Sequence, residues 1–357
     1  MKQFTSAKAN SGLPTPSIRV AAFTGGETSP SPRFRVRQYL PYLGVYGVNI
    51  TEFIARFGSW PPENKSSRPF WLAATLLNRV SHVVRSYEYD VTLLQREMVS
   101  TLTTLERFTR RPRVLDVDDA VWLNRGAQKN FAALAGMCDG VICGNNFIAE
   151  NVAPWNREFM VLPTAVDTQR YQPADNSRST AQRKIIGWSG LGSGLKYLMG
   201  IEPALYKVFQ RHKDSVLRIV SDVKPRLRLL DSRNIEFIQW SPENEVQTIR
   251  EMSVGLMPVD DSLWSRGKCS YKMLLYMACA VPVVVSAVGM NNEVLALGNV
   301  GFGSRSEQDW VDRIGWLLDY PEDAAQMGIE GRRIVNKHFS LTVLAPQLAA
   351  YLKKFAE

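Results

Sequence analysis

From residue 18 onward, short apolar runs alternate with stretches whose apolar residues recur at helical spacing. The run Ile18-Arg-Val-Ala-Ala-Phe-Thr24 reads as a strand closed by Gly25-Gly26. Pro32 suits the first turn of a helix expected over 31–43. Further strands are expected at 48–53, 89–94, 113–117, 140–143 and 159–162. A helix is expected over 70–85 and another near 100–110, and the Pro- and Ser-rich 58–69 reads as a loop. Such βα alternation predicts a parallel sheet covered on both faces.

A second series follows, with strands expected at 184–188, 216–220, 235–238, 254–257 and 281–285. Ser241-Pro242-Glu243 opens one helix. Ser306 and Asp309 form a capping box for another, whose apolar face is Trp310, Ile314, Leu317 and Leu318. The small polar residues of 171–183 separate the two series. The expected class is α/β: two Rossmann-like, doubly wound parallel-sheet domains facing a cleft. The divisions are a disordered tail 1–17, a first domain 18–172, a linker 173–183, a second domain 184–340, and a C-terminal helix 341–357 packing back on the first domain. Ligands in such sheets bind beyond the carboxyl ends of the strands.

Charge singles out Ser265-Arg-Gly-Lys-Cys-Ser-Tyr-Lys272. Apolar spacing at Met273, Leu274, Met277 and Ala278 predicts a helix from about 269 to 279. Arg266, Lys268 and Lys272 would then crowd a helix N-terminus that already carries about +0.5 of an elementary charge. Lys268 and Lys272, four apart, would repel by about a few tenths of a kcal/mol. A bound anion, phosphate above all, reverses both penalties.

The net charge of +9 and pI near 9.4 favour acidic partners: nucleotides, nucleic acid or an anionic membrane. No apolar run approaches the roughly 18 residues that span a bilayer. Residues 1–17 carry no apolar core of a secretory signal. The four cysteines, Cys138, Cys143, Cys269 and Cys279, have no metal-ligand spacing and read as reduced thiols of a cytoplasmic protein. Three scattered histidines, His82, His212 and His338, give a metal site or a catalytic triad little to build on. No Gly-x-Gly-x-x-Gly follows the first strand, which argues against a dinucleotide oxidoreductase.

The segment Gly267-Lys-Cys-Ser-Tyr-Lys272, continued by Tyr276-Met-Ala-Cys-Ala-Val-Pro-Val-Val-Val-Ser286 and Gly289-x3-Glu293, resembles the donor-binding segment of GT-B glycosyltransferases, and within them family four, group 1. Residues 31–43, Asp116-Val-Asp-Asp-Ala-Val-Trp122, Leu162-Pro-Thr-Ala-Val-Asp167 and Ile186-Gly-Trp-Ser-Gly190 fit the same resemblance in order and spacing. It implies transfer of a sugar from a nucleotide diphosphate sugar to a glycan or lipid-linked acceptor, with retention and without metal or other cofactor. The setting would be assembly of cell-surface polysaccharide or glycoconjugate in the cytoplasm, with room for peripheral contact with an anionic inner membrane face. Nucleic acid is not an expected partner.

On that footing Lys268 and Lys272 are the expected catalytic cations, with Arg266 less secure. Gly289, Asn291, Asn292 and Glu293 would meet the donor at a helix start. Gly187, Ser189 and Gly190 would approach its phosphates, and Lys196 would add charge. Gly25 and Gly26 would face the donor from the first domain. Of Arg33, Arg35 and Arg37, at most two share a helix face, and Arg33 and Arg37 are the expected acceptor-binding pair. Asp118 and Asp119, at a strand's carboxyl end, are expected to face the acceptor, with a helix N-cap as the alternative. Asp116-Val-Asp118 looks like a metal-binding DxD, but that motif belongs to another glycosyltransferase fold. One departure matters: the two glutamates that many relatives carry fall at Gly267 and Leu275 here. That leaves open a non-catalytic GT-B subunit that binds nucleotide sugar or glycan, or a sugar-nucleotide epimerase.

Overall fold

A computed structural model of the protein describes residues 17–174 and 184–357. The expected tail, apart from Ser17, and the linker beyond residue 174 lie outside the described residues. Two six-stranded parallel sheets form the framework. The first contains β1 (Ile18–Thr24), β2 (Val48–Ile54), β3 (Val91–Gln95), β4 (Arg113–Val117), β5 (Gly140–Cys143) and β6 (Phe159–Val161), in the order β2-β1-β3-β4-β5-β6. The second contains β7 (Lys184–Ser189), β8 (Ser215–Ser221), β9 (Ile235–Gln239), β10 (Val254–Met257), β11 (Val283–Ser286) and β12 (Gly301–Ser304), in the order β12-β11-β10-β7-β8-β9. The inner strands β3, β4, β5, β10 and β11 are buried along their whole length, as parallel strands sandwiched between helical layers must be. This is the GT-B arrangement of two Rossmann-like domains.

The edge strand β12 has no counterpart among the expected strands. Its Gly301-Phe-Gly-Ser304 is too short and glycine-rich to signal a strand, and it forms by pairing with β11 in register Val283 to Gly301. Three expected helices change. The one over 31–43 is broken into Pro30–Arg35, a tight turn Arg37–Tyr39, and Leu40–Leu43. The first break falls at Val36, whose φ of −126° leaves the helical region, and Pro41, which has no N–H to donate to the preceding turn, sits in the first turn of a new short helix instead of extending the old one. Near 100–110 only the turn Glu106–Phe108 forms. There the buried Glu106 carboxylate accepts from the backbone N–H of Met98 (2.8 Å), which diverts the chain from helical bonding. The helix expected at Ser241 begins at Glu245, because Ser241 and Asn244 bond each other first. The capping box at Ser306 and Asp309 forms in full.

Leu341, Leu344, Ala345, Leu348, Ala349 and Leu352 bring the terminal helix Leu341–Lys354 onto Ile18, Val20 and Ala22 of the first sheet. The chain end therefore straps the first domain. Among the described residues no helix is long and apolar enough to cross a membrane. All four cysteines are unbridged and buried.

An ion pair with both partners almost fully buried lies inside the first domain. Arg35 Nη2 is 2.5 Å from Asp116 Oδ1, Nε reaches both carboxylate oxygens at 3.1 Å, and Nη1 donates to the carbonyl of Leu162 at 2.8 Å. Asp116 is thus a structural tie between the first helix and β4. Asp116→Asn would leave the Arg35 charge buried and half-satisfied, at a cost of about 3–5 kcal/mol. Urea unfolding should show that loss, and an unchanged midpoint would show that the pair carries no stability.

Candidate functional site

Beyond the carboxyl end of β10 the chain turns through 258–261 and enters the short helix Leu263–Arg266. Ser262 caps it by accepting from the Ser265 N–H at 3.2 Å. Arg266 therefore ends a helix, where a cation is favourable, and pairs with Asp261 at 2.8 Å on the surface. This corrects the expected single helix from 269. Ser270 takes a left-handed conformation (φ 49°), and the main helix runs only from Tyr271 to Ala278. Lys268 lies in the link, and of the three expected cations only Lys272 occupies the helix's first turn.

Lys272 is half-buried in the crevice where β7 ends. Its Nζ sits 4.6 Å from the centre of the Trp188 ring, a cation–π contact. Gly190 and Gly194 leave room for it: a methyl group on Gly190 would collide with Nζ, and one on Gly194 would lie 3.3 Å away. Among the described residues no carboxylate pairs with Lys272. Burial, and then the charge of Lys268, lower its pKa from 10.5 to about 7. Lys268 lies 5.9 Å from the Trp264 ring. The two ammonium groups are near enough to repel, each over an aromatic ring; neither forms an ion pair among the described residues, and the Asp119 carboxylate is close enough to Lys268 for their charges to attract.

The first domain closes directly over this segment. A methyl group on Gly267 would meet the Ala120 side chain at 2.6 Å. Cys269 Sγ touches the Asp118 carbonyl at 3.1 Å, with Gly144 opposite. Asn145 Nδ2 donates to the carbonyls of Lys268 (3.0 Å) and Arg266 (3.3 Å), and Asn146 Nδ2 donates to Glu293 Oε2 (2.8 Å). Asp118 and Asp119 follow β4 at this seam. Arg96 clamps both, with Nε 2.6 Å from Asp118 Oδ1 and Nη2 2.8 Å from Asp119 Oδ2. Ser31 Oγ also donates to Asp118. Burial raises both carboxyl groups. At Asp118 burial is outweighed by the charges of Arg96 and Arg35 together with the hydrogen bonds from Arg96 and Ser31, so its pKa falls below the ordinary value, whereas Asp119, beside Asp118, stays above it. Arg96 has positive φ (61°), a conformation that costs energy in a non-glycine residue. It is a site residue with no signature in the sequence.

A cleft of about 1020 Å³ opens beyond the carboxyl ends of β10, β11 and β12, lined by Lys196, Asp260, Arg266, Gly289, Asn292 and Arg305 among others. Lys196 is exposed on its wall, 4.8 Å from the Tyr197 ring. Gly289 has positive φ (51°) and packs on the Arg266 backbone, 3.0 Å from where a side chain would begin. Asn292 Nδ2 donates to the Ala287 carbonyl at 2.9 Å. Arg305 is a further cation here that sequence reasoning missed. Gly25 is buried against Ser29 and Ser59, and Gly26 lies over Gly58.

Several expected site residues do other work. Gly187 makes room for the Met252 side chain inside the second domain. Ser189 is buried, its N–H donating to the Tyr276 hydroxyl at 2.8 Å, so only Gly190 of that trio touches the lysine pocket. Asn291 is buried between Ser270 Oγ (2.7 Å) and the Ser286 carbonyl (2.9 Å). Glu293 is engaged with Asn146 across the seam. Arg33 and Arg37 are not a free acceptor pair. The guanidinium of Arg33 bridges the domains to Glu245 at 2.8 Å, and Arg37 bonds Glu52 at 2.9 and 3.0 Å while holding the carbonyls of Gly26 and Glu27. The break at Val36 is the reason: Arg33 lies on the helix before it and Arg37 on the turn after it, so the two do not share one helix face.

Residues 186–320 match the family model described as glycosyl transferases group 1. The chain has the GT-B fold and resembles the group 1 glycosyltransferases. Solved structures similar to it include sucrose-phosphate synthase from Thermosynechococcus elongatus, with TM-score 0.72 and 16% identity over 94% of this chain and 98% of that one. Anabaena HepE in complex with UDP and glucose gives 0.71 and 14%, over 94% and 100%. WaaG, a glycosyltransferase involved in lipopolysaccharide biosynthesis, gives 0.67 and 14%, over 93% and 99%. No curated protein matches the chain by sequence.

The lysine pair makes pH a direct probe of the site. Between pH 7 and 10.5 the unfolded chain keeps a proton on Lys272 that the folded chain has released, so stability from this group rises with pH across that window. A bound diphosphate favours the protonated form. Calorimetry near pH 8 in buffers of different ionisation enthalpy should show uptake of up to about one proton on UDP binding, with affinity falling as pH rises. Buffer-independent heats would show that Lys272 does not meet the anion.

Proposed function

We propose that the chain is a glycosyltransferase that moves a sugar from a nucleotide diphosphate sugar to a glycan or lipid-linked acceptor, with retention and without a bound metal, in the assembly of cell-surface polysaccharide or glycoconjugate. The observation that carries this is the unpaired Lys268–Lys272 couple at the domain seam. When the bond from the anomeric carbon to the diphosphate breaks, negative charge grows on the leaving β-phosphate. Cations already in place and partly removed from water stabilise that charge without reorganising. Lys272, near neutrality when empty, gains its proton as the anion arrives. HepE, of the same fold, holds UDP and glucose, which supports a donor of this chemical class. Asp118 and Asp119, fixed by Arg96, would present carboxylates to the acceptor from the opposite wall.

The missing glutamates favour a second reading, a non-catalytic subunit that binds the donor without transfer. Ala120 leaves no space for a side chain at position 267, and Leu275 is buried in the core. Neither position offers a side chain that could take the role of the missing glutamate. Turnover assays with a panel of nucleotide sugars and acceptors separate the readings. The first expects transfer that Lys272→Ala lowers by at least about tenfold with folding intact. Binding without transfer or hydrolysis across the panel would decide for the second.

A further inference from the structure

At the outer edge of the second sheet, beside β12, a groove of about 720 Å³ lies between the helices Glu307–Asp319 and Pro321–Ile334. Its floor is aromatic. The Phe302 and Trp316 rings meet edge to face with centroids 5.2 Å apart, and the Tyr320 ring lies 5.0 Å beyond Trp316 with 32° between their planes. Phe302 and Trp316 are half-buried and packed against the core of the second domain, whereas Tyr320 is 52% exposed. The spacing explains the row. Asp312, Trp316 and Tyr320 recur every four residues and so share one side of the helix, next to the apolar row Trp310, Ile314, Leu317 and Leu318 that packs inward. Trp310 lines the cleft, and Trp316, about 9 Å further along the helix axis, floors the groove. No residue lines both, so the groove is a separate place on the molecule.

Polar groups ring the aromatic floor. Each helix contributes an exposed carboxylate, Asp312 from one and Asp323 from the other, and Asn299 and Gln326 add amides. Among the described residues the side chains of Asn299, Asp323 and Gln326 have no hydrogen-bond or ion-pair partner. The cation of the lining, Arg313, is 3.6 Å from Asp309. Aromatic faces set among acceptors match a carbohydrate. The C–H bonds on one face of a sugar ring are drawn to the negative face of an aromatic ring, while the hydroxyls at its edge donate to carboxylates and amides. A protein surface fits less well, because it would strip water from two carboxylates, and the cores of protein interfaces are depleted of such groups. An anionic ligand would be repelled by the same carboxylates.

We propose that the groove between these two helices binds a neutral oligosaccharide at a site separate from the cleft. Such a site keeps a glycan chain on the protein independently of the cleft. The inference goes beyond sugar transfer, and its test reads binding alone.

The full chain is titrated calorimetrically with short neutral oligosaccharides of glucose, mannose, galactose and N-acetylglucosamine, and with oligogalacturonate as the anionic comparison. Binding of a neutral member is expected, with oligogalacturonate at least about tenfold weaker. Trp316→Ala should lower the affinity by at least about tenfold, and Trp316→Phe, which keeps a ring for stacking, should recover most of it. Asp323→Ala combined with Gln326→Ala provides an arm that does not touch the core. Both side chains are exposed, so the thermal melt should stay as in the unmodified protein while sugar binding weakens. Absence of binding across the neutral panel would overturn the proposal. So would binding that Trp316→Ala and the double variant both leave unchanged, which would place the sugar in the cleft. A stable dimer that the double variant dissociates, without any sugar binding, would also overturn it, since the groove would then be a self-association face.

Discussion

Two lysine ammonium groups, Lys268 and Lys272, repel one another at the seam of the two domains; neither has an ion pair among the described residues, and only the nearby Asp119 carboxylate attracts Lys268. Like charges brought together and partly removed from water raise the energy of the empty protein. That cost persists only because the surrounding structure determines it. Gly190 and Gly194 make the space, Trp188 supplies the floor, and the left-handed Ser270 sets the angle at which the link carrying Lys268 meets the helix carrying Lys272. A diphosphate would relieve the repulsion and take up the proton that burial drives off Lys272.

The opposite wall is arranged with similar economy. Arg96, itself strained, sets two adjacent carboxylates at the end of β4, and the Asp118 carbonyl rests against Cys269 of the lysine link. Asn145 reaches across to the carbonyls of Arg266 and Lys268. The first domain thus grips the backbone of the cationic segment while leaving its ammonium groups unpaired. Arg33 and Tyr171 converge on Glu245 and fasten the seam elsewhere. These contacts explain the absence of the glutamate at position 267: the domain that closes on Gly267 through Ala120 leaves no room for one.

Much of the framework was legible in the sequence, because parallel strands buried on both faces are often written as unbroken apolar runs such as 140–143 and 254–257. The strand Gly301–Ser304 was not, since two glycines and a pairing partner leave no local signal. The site was legible as chemistry more than as geometry. Lys268 and Lys272 stood out because their charges looked misplaced on one helix. The helix proved to be two, and the pair meets through a link whose left-handed residue no periodicity reveals. Gly187, Ser189 and Asn291 were drawn in by proximity to motifs, yet their side chains or hydrogen bonds turn into the core. Arg96 could not be found at all, because its importance lies in a backbone angle and in two partners more than twenty residues away.

The central claim is that the lysine couple is an anion site maintained against the stability of the empty protein. Lys272→Met keeps the apolar stem and removes the desolvated charge. The most direct measurement is the thermal melting of this variant and of the unmodified chain near pH 7, each with and without UDP. The account predicts that the empty variant melts higher than the unmodified protein, and that UDP raises the melting temperature of the unmodified protein but not of the variant. A variant that melts lower when empty and is still stabilised by UDP would contradict it.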